Sequence, residues 1–418
     1  MRTRLAVFIS IVQSIILVGH IFIYATWAIF WGGVATSSRV SIALGLLSLT
    51  FVTASLLGWY FHNPLVRLYY VLAAVWLGLS SYLLWAAVLC WLTLGLSAVM
   101  RLGWARQHIA DALFGTAVLA ALYGLANAWW LRVNHISVQL PNLPPQWRGR
   151  TAALVTDTHL GHIRNGRFIR RVLRRLTSLE PDVVFLAGDV YDGTAADFQK
   201  LAQPWKDFIA QRRQSSQSNI PEIVRSIRIR EGHGAVENRY GDAAGISGGS
   251  QASTPVMEDD PFLGVYYILG NHEEFYSHAE YLPPLLQSGV RALNNEKVEL
   301  DGLQLVGVQY RDAADPESYR QLLRSVELDP NRPSILLLHA PVRLHIAEEE
   351  GISLQLSGHT HGGQFFPYTW IAKRVWGKFI HGLQSIGKLQ VFTSYGAGSW
   401  GPPMRVGTRP EIVLITFV

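Results

Sequence analysis

The 418-residue chain is rich in apolar residues and poor in charge, with 49% hydrophobic and 16% charged side chains and a formal net charge of +6. The charge is unevenly distributed, because residues 1–131 hold seven of the 66 charged side chains but nine of the 14 tryptophans. A chain that is soluble throughout is therefore excluded. Residues 1–131 carry +5 of the net charge of +6, on arginines that flank apolar segments, so we expect no nucleic-acid partner. The single cysteine, Cys90, excludes an intramolecular disulfide framework.

The N-terminal third contains four apolar stretches, at roughly 5–32, 40–61, 68–100 and 112–131. Each reaches the ~20 residues that an α-helix needs to cross a hydrocarbon core of ~30 Å. Tryptophans lie near the ends of several stretches, as in the aromatic belts of membrane proteins. We predict that residues 1–132 form a bundle of transmembrane helices surrounded by membrane lipids, and we expect the inner (cell) membrane of a bacterium.

The topology of this bundle stays open at the level of sequence. The third stretch would be about 50 Å long as one helix, and a hairpin near Ser80–Ser81 would divide it into two crossings. Four or five crossings are therefore both compatible with the sequence. The few flanking arginines do not assign the C-terminal part to either side of the membrane.

From about residue 135 onward, short apolar runs replace the long stretches. Their length of four to seven residues and their Val, Ile and Leu content predict buried strands at 151–156, 182–187, 264–269, 303–308, 334–338, 352–356, 389–393 and 411–417. Apolar residues at helical spacing predict an amphipathic helix at Gly166–Leu179, and further helices at 198–210 and 316–327. The β-α-β arrangement indicates an α/β domain over residues 133–418.

Residues 211–260 interrupt this pattern. The segment is dense in Gln, Ser, Gly, Arg and Asn, lacks hydrophobic periodicity, and contains Gly-Ile-Ser-Gly-Gly-Ser at 245–250. We therefore predict a disordered surface insertion within the α/β domain.

Polar side chains follow five of the predicted strands at the point where each strand ends. They form the groups Asp157 with His159, Gly188-Asp189 with Asp192, Gly270-Asn271-His272-Glu273, His339 alone, and Gly358-His359-Thr360-His361. Ligands bind beyond the carboxyl ends of strands in open α/β sheets, so these side chains are expected to converge. Carboxylate, imidazole and amide groups without a thiolate suit Mn²⁺, Fe or Zn²⁺ rather than a cysteine-based structural zinc.

The five groups, in this order, resemble the signature blocks of the calcineurin-like metallophosphoesterase family, D-x-H, G-D-x-x-D, G-N-H-[DE], a lone H and G-H-x-H. The resemblance covers roughly 148–418 apart from the insertion, and the Gly-His-Thr-His-Gly-Gly-Gln form at 358–364 is similar to the membrane-associated branch of that family. It implies a four-layer α/β/β/α domain that follows the N-terminal helical bundle.

The resemblance also implies a centre with two divalent metal ions. Asp157, His159 and His361 would hold one ion and Asn271, His339 and His359 the other, while Asp189 would bridge them. Mn²⁺ is favoured, with Fe, Zn²⁺ and Mg²⁺ as alternatives. A hydroxide held between the two ions would attack phosphorus, and His272 would protonate the leaving oxygen or stabilise the transition state.

We accordingly predict a membrane-anchored phosphoesterase that hydrolyses phosphodiester or pyrophosphate bonds of a lipid-linked or nucleotide substrate. Two alternatives stay open, a phosphomonoesterase and a non-catalytic membrane protein whose phosphoesterase domain binds a ligand. The apolar and basic segment 365–379 follows the last two histidines of the motif, and it either meets the bilayer and admits a lipid-tailed substrate or folds over the sheet as part of the core.

Three further residues near the motifs carry separate expectations. Asp192 is expected to shape a turn rather than to bind metal, and Glu273 is expected to be structural. His162 either contacts the phosphate of the substrate or lies in an exposed loop.

Overall fold

The computed structural model describes residues 2–32, 38–218, 262–275 and 278–418. The N-terminal part consists of four helices, α1 (Arg2–Trp31), α2 (Ser38–Tyr60), α3 (Pro64–Val99) and α4 (Arg106–Ala128). All four are long and apolar enough to cross a membrane, which confirms the four predicted stretches. Helix α3 is uninterrupted from its Asn63 cap to Val99, so the structure has no hairpin at Ser80–Ser81.

The C-terminal part contains two six-stranded sheets. The first has the strand order β1-β12-β2-β3-β4-β5, with β1 (Arg132–Val138), β2 (Thr151–Val155), β3 (Val183–Ala187), β4 (Gly264–Ile268), β5 (Arg291–Ala292) and β12 (Glu411–Phe417). The second has the order β10-β11-β9-β8-β7-β6, with β6 (Glu296–Leu300), β7 (Leu303–Val308), β8 (Ser334–Leu338), β9 (Leu354–Ser357), β10 (Gly382–Ile386) and β11 (Leu389–Thr393).

The two sheets pack face to face and are covered by helices on both outer sides. Leu154 and Phe185 of the first sheet share one buried cluster with Leu337 and Leu356 of the second. Helices α5 (Gly166–Leu179), α6 (Phe198–Ser218) and α7 (His278–Gln287) cover the first sheet, and α8 (Pro316–Ser325) and α9 (Leu344–Glu349) cover the second. The domain therefore has the four layers α/β/β/α that the resemblance implied.

The eight predicted strands are all present, with ends that differ from the prediction by at most two residues. The strands that the sequence did not reveal are β1, β5, β6 and β10. All four lie at sheet edges; β5 has two residues, and β1, β6 and β10 consist mostly of exposed and half-buried positions. A continuous apolar run is the mark of a strand buried on both faces, so such edges escape that criterion.

The first part of the predicted insertion, residues 211–218, is helical. Helix α6 continues to Ser218, because Arg212 donates a hydrogen bond from Nη2 to the carbonyl oxygen of Pro181 and its guanidinium lies 5.5 Å from the Phe262 ring. Residues 211–218 therefore belong to a helix that packs on the domain. The remainder of the predicted insertion lies outside the described residues.

The α/β domain lies against the first half of α3 and the end of α4. Arg67 donates from Nε to the carbonyl oxygen of His162 at 2.9 Å, and the hydroxyls of Ser81 and Tyr368 are 2.8 Å apart. These contacts extend over roughly 20 Å of α3 at 1.5 Å per residue. They account for the unusual length of this helix, because its first half is partly covered by the domain and its second half is long enough to cross a hydrocarbon core.

Candidate metal centre

The predicted site residues follow strands of both sheets and meet at one end of the domain. Asp157 follows β2, Asp189 follows β3 and Asn271 follows β4 in the first sheet, whereas His339 follows β8 and His359 follows β9 in the second. The sandwich of two sheets thus brings together loops that are more than two hundred residues apart in sequence. The structure brings the seven predicted ligands and His272 together at this end, and Asp189 lies near side chains of both main groups of candidate ligands.

The first group contains Asp157, His159 and His361. Nε2 of His159 and Nε2 of His361 are 3.0 Å apart, and Oδ1 of Asp157 lies 3.4 Å from the latter. The carboxylate of Asp157 is fixed by the hydroxyl of Thr156, at 2.7 Å, and by the backbone N–H of His359, at 3.1 Å. One potential ligand atom from each of the three side chains lies within 4.8 Å of the others.

The second group contains Asp189, His339 and His359, with Asn271 beside them. Oδ2 of Asp189 lies 3.1 Å from Nε2 of His339, and Oδ1 of Asn271 lies 2.8 Å from Nδ1 of His359. Asp189 also lies 3.9 Å from Nε2 of His159, so its carboxylate faces both groups. Nδ1–H of His339 donates to the carbonyl oxygen of Ala187 at 2.8 Å, which leaves Nε2 directed at the centre.

Strained backbone positions coincide with this centre. Asp157, His159, Asp189, His359 and His361 all have φ between 46° and 68°, the left-handed region that non-glycine residues rarely adopt. The tight approach also requires glycine at Gly358, because a Cβ there would lie 2.1 Å from Oδ2 of Asp157. Such strain persists only where the surrounding structure enforces it, and it concentrates at functional sites.

Burial and mutual charge shift the pKa values of the centre in opposite directions. Burial lowers the pKa of His159 and of His361 well below 6.5, and it lowers that of His359 to about 3. Burial would also lower the pKa of His339, but the carboxylate of Asp189 outweighs it and raises that pKa to about 10. His339 in turn holds the pKa of Asp189 below its usual range against the effect of burial. Three imidazoles are therefore neutral at pH 7, the form that binds metal.

The donor set fits divalent cations. Two buried carboxylates face four imidazoles and one amide oxygen, and no thiolate is present, a combination typical of Mn²⁺, Fe and Zn²⁺ sites. Nε2 of His339 lies 3.1 Å from Oδ2 of Asp189, so a cation held between them would take the place of the proton that Asp189 stabilises on this ring. The two groups could each hold an ion, with Asp189 facing both.

Comparison with known proteins agrees with this geometry. A search of family profiles finds no match to the chain. An uncharacterized metallophosphoesterase of Campylobacter jejuni is 27% identical to this chain, and the match covers 68% of this chain and 63% of the relative. A transmembrane protein with metallophosphoesterase domain of Danio rerio is also 27% identical, and the match covers 73% of this chain and 62% of the relative. The UDP-2,3-diacylglucosamine pyrophosphatase LpxG of Chlamydia trachomatis is 23% identical, and the match covers 72% of this chain and 96% of the relative. The chain thus spans less than two-thirds of the length of the first two relatives.

The resemblance to calcineurin-like metallophosphoesterases, predicted from the motifs, is thus confirmed by relatives that carry the metallophosphoesterase name. The chain's four apolar helices and its relatives named as transmembrane proteins indicate a membrane protein. The α/β part is called the phosphoesterase domain from here on.

His272 lies at the rim of the phosphoesterase centre, next to the carboxylate that faces both groups. Its backbone N–H donates to Oδ1 of Asp189 at 2.9 Å, and its ring meets that of His159 edge to face, with centroids 4.8 Å apart. Nδ1–H donates to the carbonyl oxygen of Asp192 at 3.0 Å, which fixes the ring. The carboxylate of Asp192 accepts hydrogen bonds from the backbone N–H and hydroxyl of Thr194, so Asp192 shapes a turn and does not face the metal groups.

Two neighbouring residues have structural roles. Glu273 is fully buried and accepts hydrogen bonds from the backbone N–H groups of Asp189, Tyr191 and Gly270, so it ties two of the ligand-bearing loops together. His162 is also buried, with Nε2 3.1 Å from the carbonyl oxygen of Gly58 in α2. Both expectations for His162 were wrong, because the residue packs between the domain and the membrane helices.

Arg405 is the main contributor that sequence analysis missed. It is fully buried, and it donates from Nη1 to the carbonyl oxygen of His361 at 3.0 Å and from Nη2 to Nδ1 of the same residue at 2.9 Å. It also donates to the carbonyl oxygens of Tyr395 and Gly398. Because a guanidinium only donates, Nδ1 of His361 accepts, and Nε2 is the nitrogen that faces the centre. No spacing rule connects residues 405 and 361, so only the fold reveals the contact.

Aromatic rings surround the centre. Tyr310 lies 5.3 Å from the ring of His359, Trp376 meets the same ring at 5.6 Å, and Trp400 meets His272 at 5.5 Å. Tyr310 follows β7, so the rule that polar side chains follow strand ends would have identified it. Trp376 ends a helix and Trp400 lies in a loop, and the strand-end rule points to neither of them.

Segment 365–379 was expected either to meet the bilayer or to fold over the sheet as part of the core, and its two ends differ in burial. Phe365 is buried against Tyr82 of α3, and Tyr368 contacts Ser81 in the same helix. The following helix α10 (Tyr368–Trp376) has no buried residue, and its Trp370 and Val375 are 65% and 68% exposed. One end of the segment therefore packs against the bundle, and the rest presents an apolar surface beside it.

Proposed function

We propose that this protein is a membrane-anchored phosphoesterase that uses two divalent metal ions to hydrolyse phosphodiester or pyrophosphate bonds of a lipid-linked substrate. The observation that carries the proposal is the placement of Asp189 between two His/Asp groups, 3.1 Å from His339 and 3.9 Å from His159. Asp157, His159 and His361 would hold one ion and Asn271, His339 and His359 the other, while Asp189 would serve both.

The metal ions supply Lewis-acid activation of the phosphoryl group and of a water molecule. Mn²⁺ is the favoured ion, with Fe, Zn²⁺ and Mg²⁺ as alternatives, because the ligands are hard oxygens and imidazoles. Asn271 contributes a neutral oxygen, so the ligand set leaves the centre with net positive charge when both ions are bound. A phosphate group is attracted to such a centre.

The side chains around the ions orient the substrate and move one proton. His272 is held by Asp192 through Nδ1, so Nε2 is the atom that delivers a proton to the leaving oxygen. The rings of Tyr310, Trp376 and Trp400 border the centre and reduce the access of bulk water to it. No protein nucleophile is needed in this arrangement.

A lipid-linked substrate is supported by the position of the centre relative to the helices. The centre's loops are continuous with segments that touch α3 and α4, and the exposed apolar side of α10 lies beside α3. The Chlamydia relative is named as a pyrophosphatase of a diacylated nucleotide sugar. These features favour a diester or pyrophosphate whose acyl chains stay in the bilayer over a freely soluble monoester.

The test uses purified full-length protein in detergent. We expect two metal ions per chain by elemental analysis and Mn²⁺-dependent hydrolysis of bis(p-nitrophenyl) phosphate. Asp189→Asn should lose at least one ion and nearly all activity. Asp301→Asn is the matched control, since Asp301 pairs with Arg150 at the surface and should change neither quantity.

A comparison of substrates decides between the reaction classes. Faster hydrolysis of a diacylated nucleotide-sugar pyrophosphate than of p-nitrophenyl phosphate is expected, and the reverse order would identify a phosphomonoesterase. Wild-type protein that binds fewer than two ions and turns over none of these substrates would contradict the proposal.

A further inference from the structure

A second polar surface lies where the helical bundle joins the phosphoesterase domain, built from residues outside the metal centre. Helix α5 packs its apolar side on the first sheet and carries five arginines on its other side. Arg171 donates from Nη1 to the carbonyl oxygen of Trp129 at 3.1 Å, and its guanidinium lies 5.6 Å from the Trp129 ring. These contacts fix α5 beside the C-terminal end of α4.

Two of these arginines line a cavity at this junction. Arg171 and Arg175, one helical turn apart, border an open cavity of about 430 Å³ together with Ala126, Trp129, Trp130 and Leu131. Its volume falls within the range of small-molecule sites, about 300–1,000 Å³. Within the described ranges, neither guanidinium has a carboxylate within 4.0 Å, and the lining contains no acidic side chain. The cavity therefore favours an anion.

The cavity continues an exposed apolar stripe on α4. The exposed residues Leu119, Leu122, Tyr123 and Ala126 share one face of the helix, and the exposed Trp130 follows just beyond the end of the helix. Because α4 is long and apolar enough to cross a membrane, this face is available to acyl chains. Trp129 and Trp130 mark its end, as tryptophans do at the headgroup level of a bilayer.

We propose that this cavity binds the phosphate headgroup of an anionic phospholipid, with the acyl chains lying along the stripe on α4. The two guanidinium groups can hold phosphate oxygens in paired hydrogen bonds, and the tryptophans pack against the glycerol region. The site is separate from the reaction centre and does not depend on the proposed phosphoesterase activity. A bound lipid here orients the domain on the membrane surface.

The test measures lipid binding to full-length protein in detergent by native mass spectrometry, titrated with phosphatidylglycerol. The variant R171Q/R175Q should bind phosphatidylglycerol roughly 30-fold more weakly, because each basic side chain near an anionic headgroup contributes about a fivefold factor. The matched control is R170Q/R174Q, which has the same spacing and charge change on the same helix but lies outside the cavity lining. The control should bind phosphatidylglycerol as tightly as the wild type does. All three proteins should bind phosphatidylcholine with the same affinity.

Two outcomes would overturn the proposal. Equal weakening in both double variants would indicate diffuse electrostatic attraction instead of a site. If inorganic phosphate at the same concentration as the lipid displaced the lipid, the cavity would be a site for free anions. If R171Q/R175Q unfolds at a lower temperature than the wild type, R175Q alone carries the test, since it leaves the bond between Arg171 and Trp129 intact, and a fivefold loss is expected.

Discussion

Glu411 shows how one carboxylate can join several parts of the domain. Its Oε1 accepts hydrogen bonds from Nε2 of His381, the hydroxyl of Ser394 and the backbone N–H of Tyr395, and Oε2 accepts from Asn134 in β1. Burial would raise its pKa, but the hydrogen bond from His381 leaves that pKa below the ordinary 4.5. The ionised form is therefore the one that the folded state stabilises.

The pH dependence of stability follows from the sign of this shift. A group whose pKa is lower in the folded state contributes stability that is complete above the unfolded value of 4.5 and is lost as the pH falls further. We expect the melting temperature of Glu411→Gln to lie below that of the wild type at pH 6 and the gap to narrow below pH 4.5. A gap that stays constant from pH 6 to pH 3 would contradict this role of the ionised carboxylate.

His272 is expected to act on the leaving group. Replacement by Ala should lower kcat by about 10²- to 10⁴-fold for esters with alkoxide leaving groups, the usual contribution of a general acid. The loss should be much smaller for p-nitrophenolate, which leaves without a proton. Kinetics on a series of diesters with graded leaving groups measures the difference, with metal content as the control. An equal loss across the series would assign His272 to binding or structure.

At the scale of elements, α10 is the feature that tests access of a lipid substrate. Trp370, Ile371 and Val375 are exposed, whereas Trp376 touches the ring of His359. Changing the three exposed residues to Ser should slow hydrolysis of a lipid diester in vesicles several-fold and leave hydrolysis of a soluble nitrophenyl diester unchanged.

Trp376→Ser provides the contrast within the same helix. Because its ring borders the centre, this change should reduce the hydrolysis of both substrates. If the triple variant also slowed both substrates equally, α10 would support the fold of the centre and would not admit lipid.

The sequence predicted the elements and the site to different extents. Strands buried on both faces, such as β2, β3 and β8, have continuous apolar runs, and the ligands directly follow such strands, so both could be located from the pattern. Edge strands such as β1 lack that pattern. Arg405 could not be predicted at all, because its contact with His361 depends on how two distant loops pack.

At the scale of the whole molecule, the membrane bundle supports the centre directly. The backbone N–H of Arg405 donates to the carbonyl oxygen of Gly124 in α4, and Nδ2 of Asn127 donates to the carbonyl oxygens of Arg405 and Thr408, all at 2.9 Å. Arg405 then holds His361. Arg405 thus connects a candidate membrane helix to a proposed metal ligand.

Asn127→Leu tests this connection. It removes both donors to buried carbonyl oxygens, which should cost about 1–3 kcal/mol for each carbonyl left unpaired. We expect a lower melting temperature of the full-length protein and weaker retention of one of the two metal ions during dialysis against chelator. Leu119→Ala, on the exposed face of the same helix, is the control and should retain both ions. Unchanged retention in Asn127→Leu would show that Arg405 positions His361 without help from α4.

The same link bears on any attempt to study the phosphoesterase domain as a soluble fragment. Cutting the chain ahead of β1 would keep both sheets and their shared core but would remove the helix that anchors the loop around residue 405. The resulting fragment should fold but should bind one of its two metal ions only weakly. Weak turnover by such a preparation would then reflect the missing helix and not a poor choice of substrate.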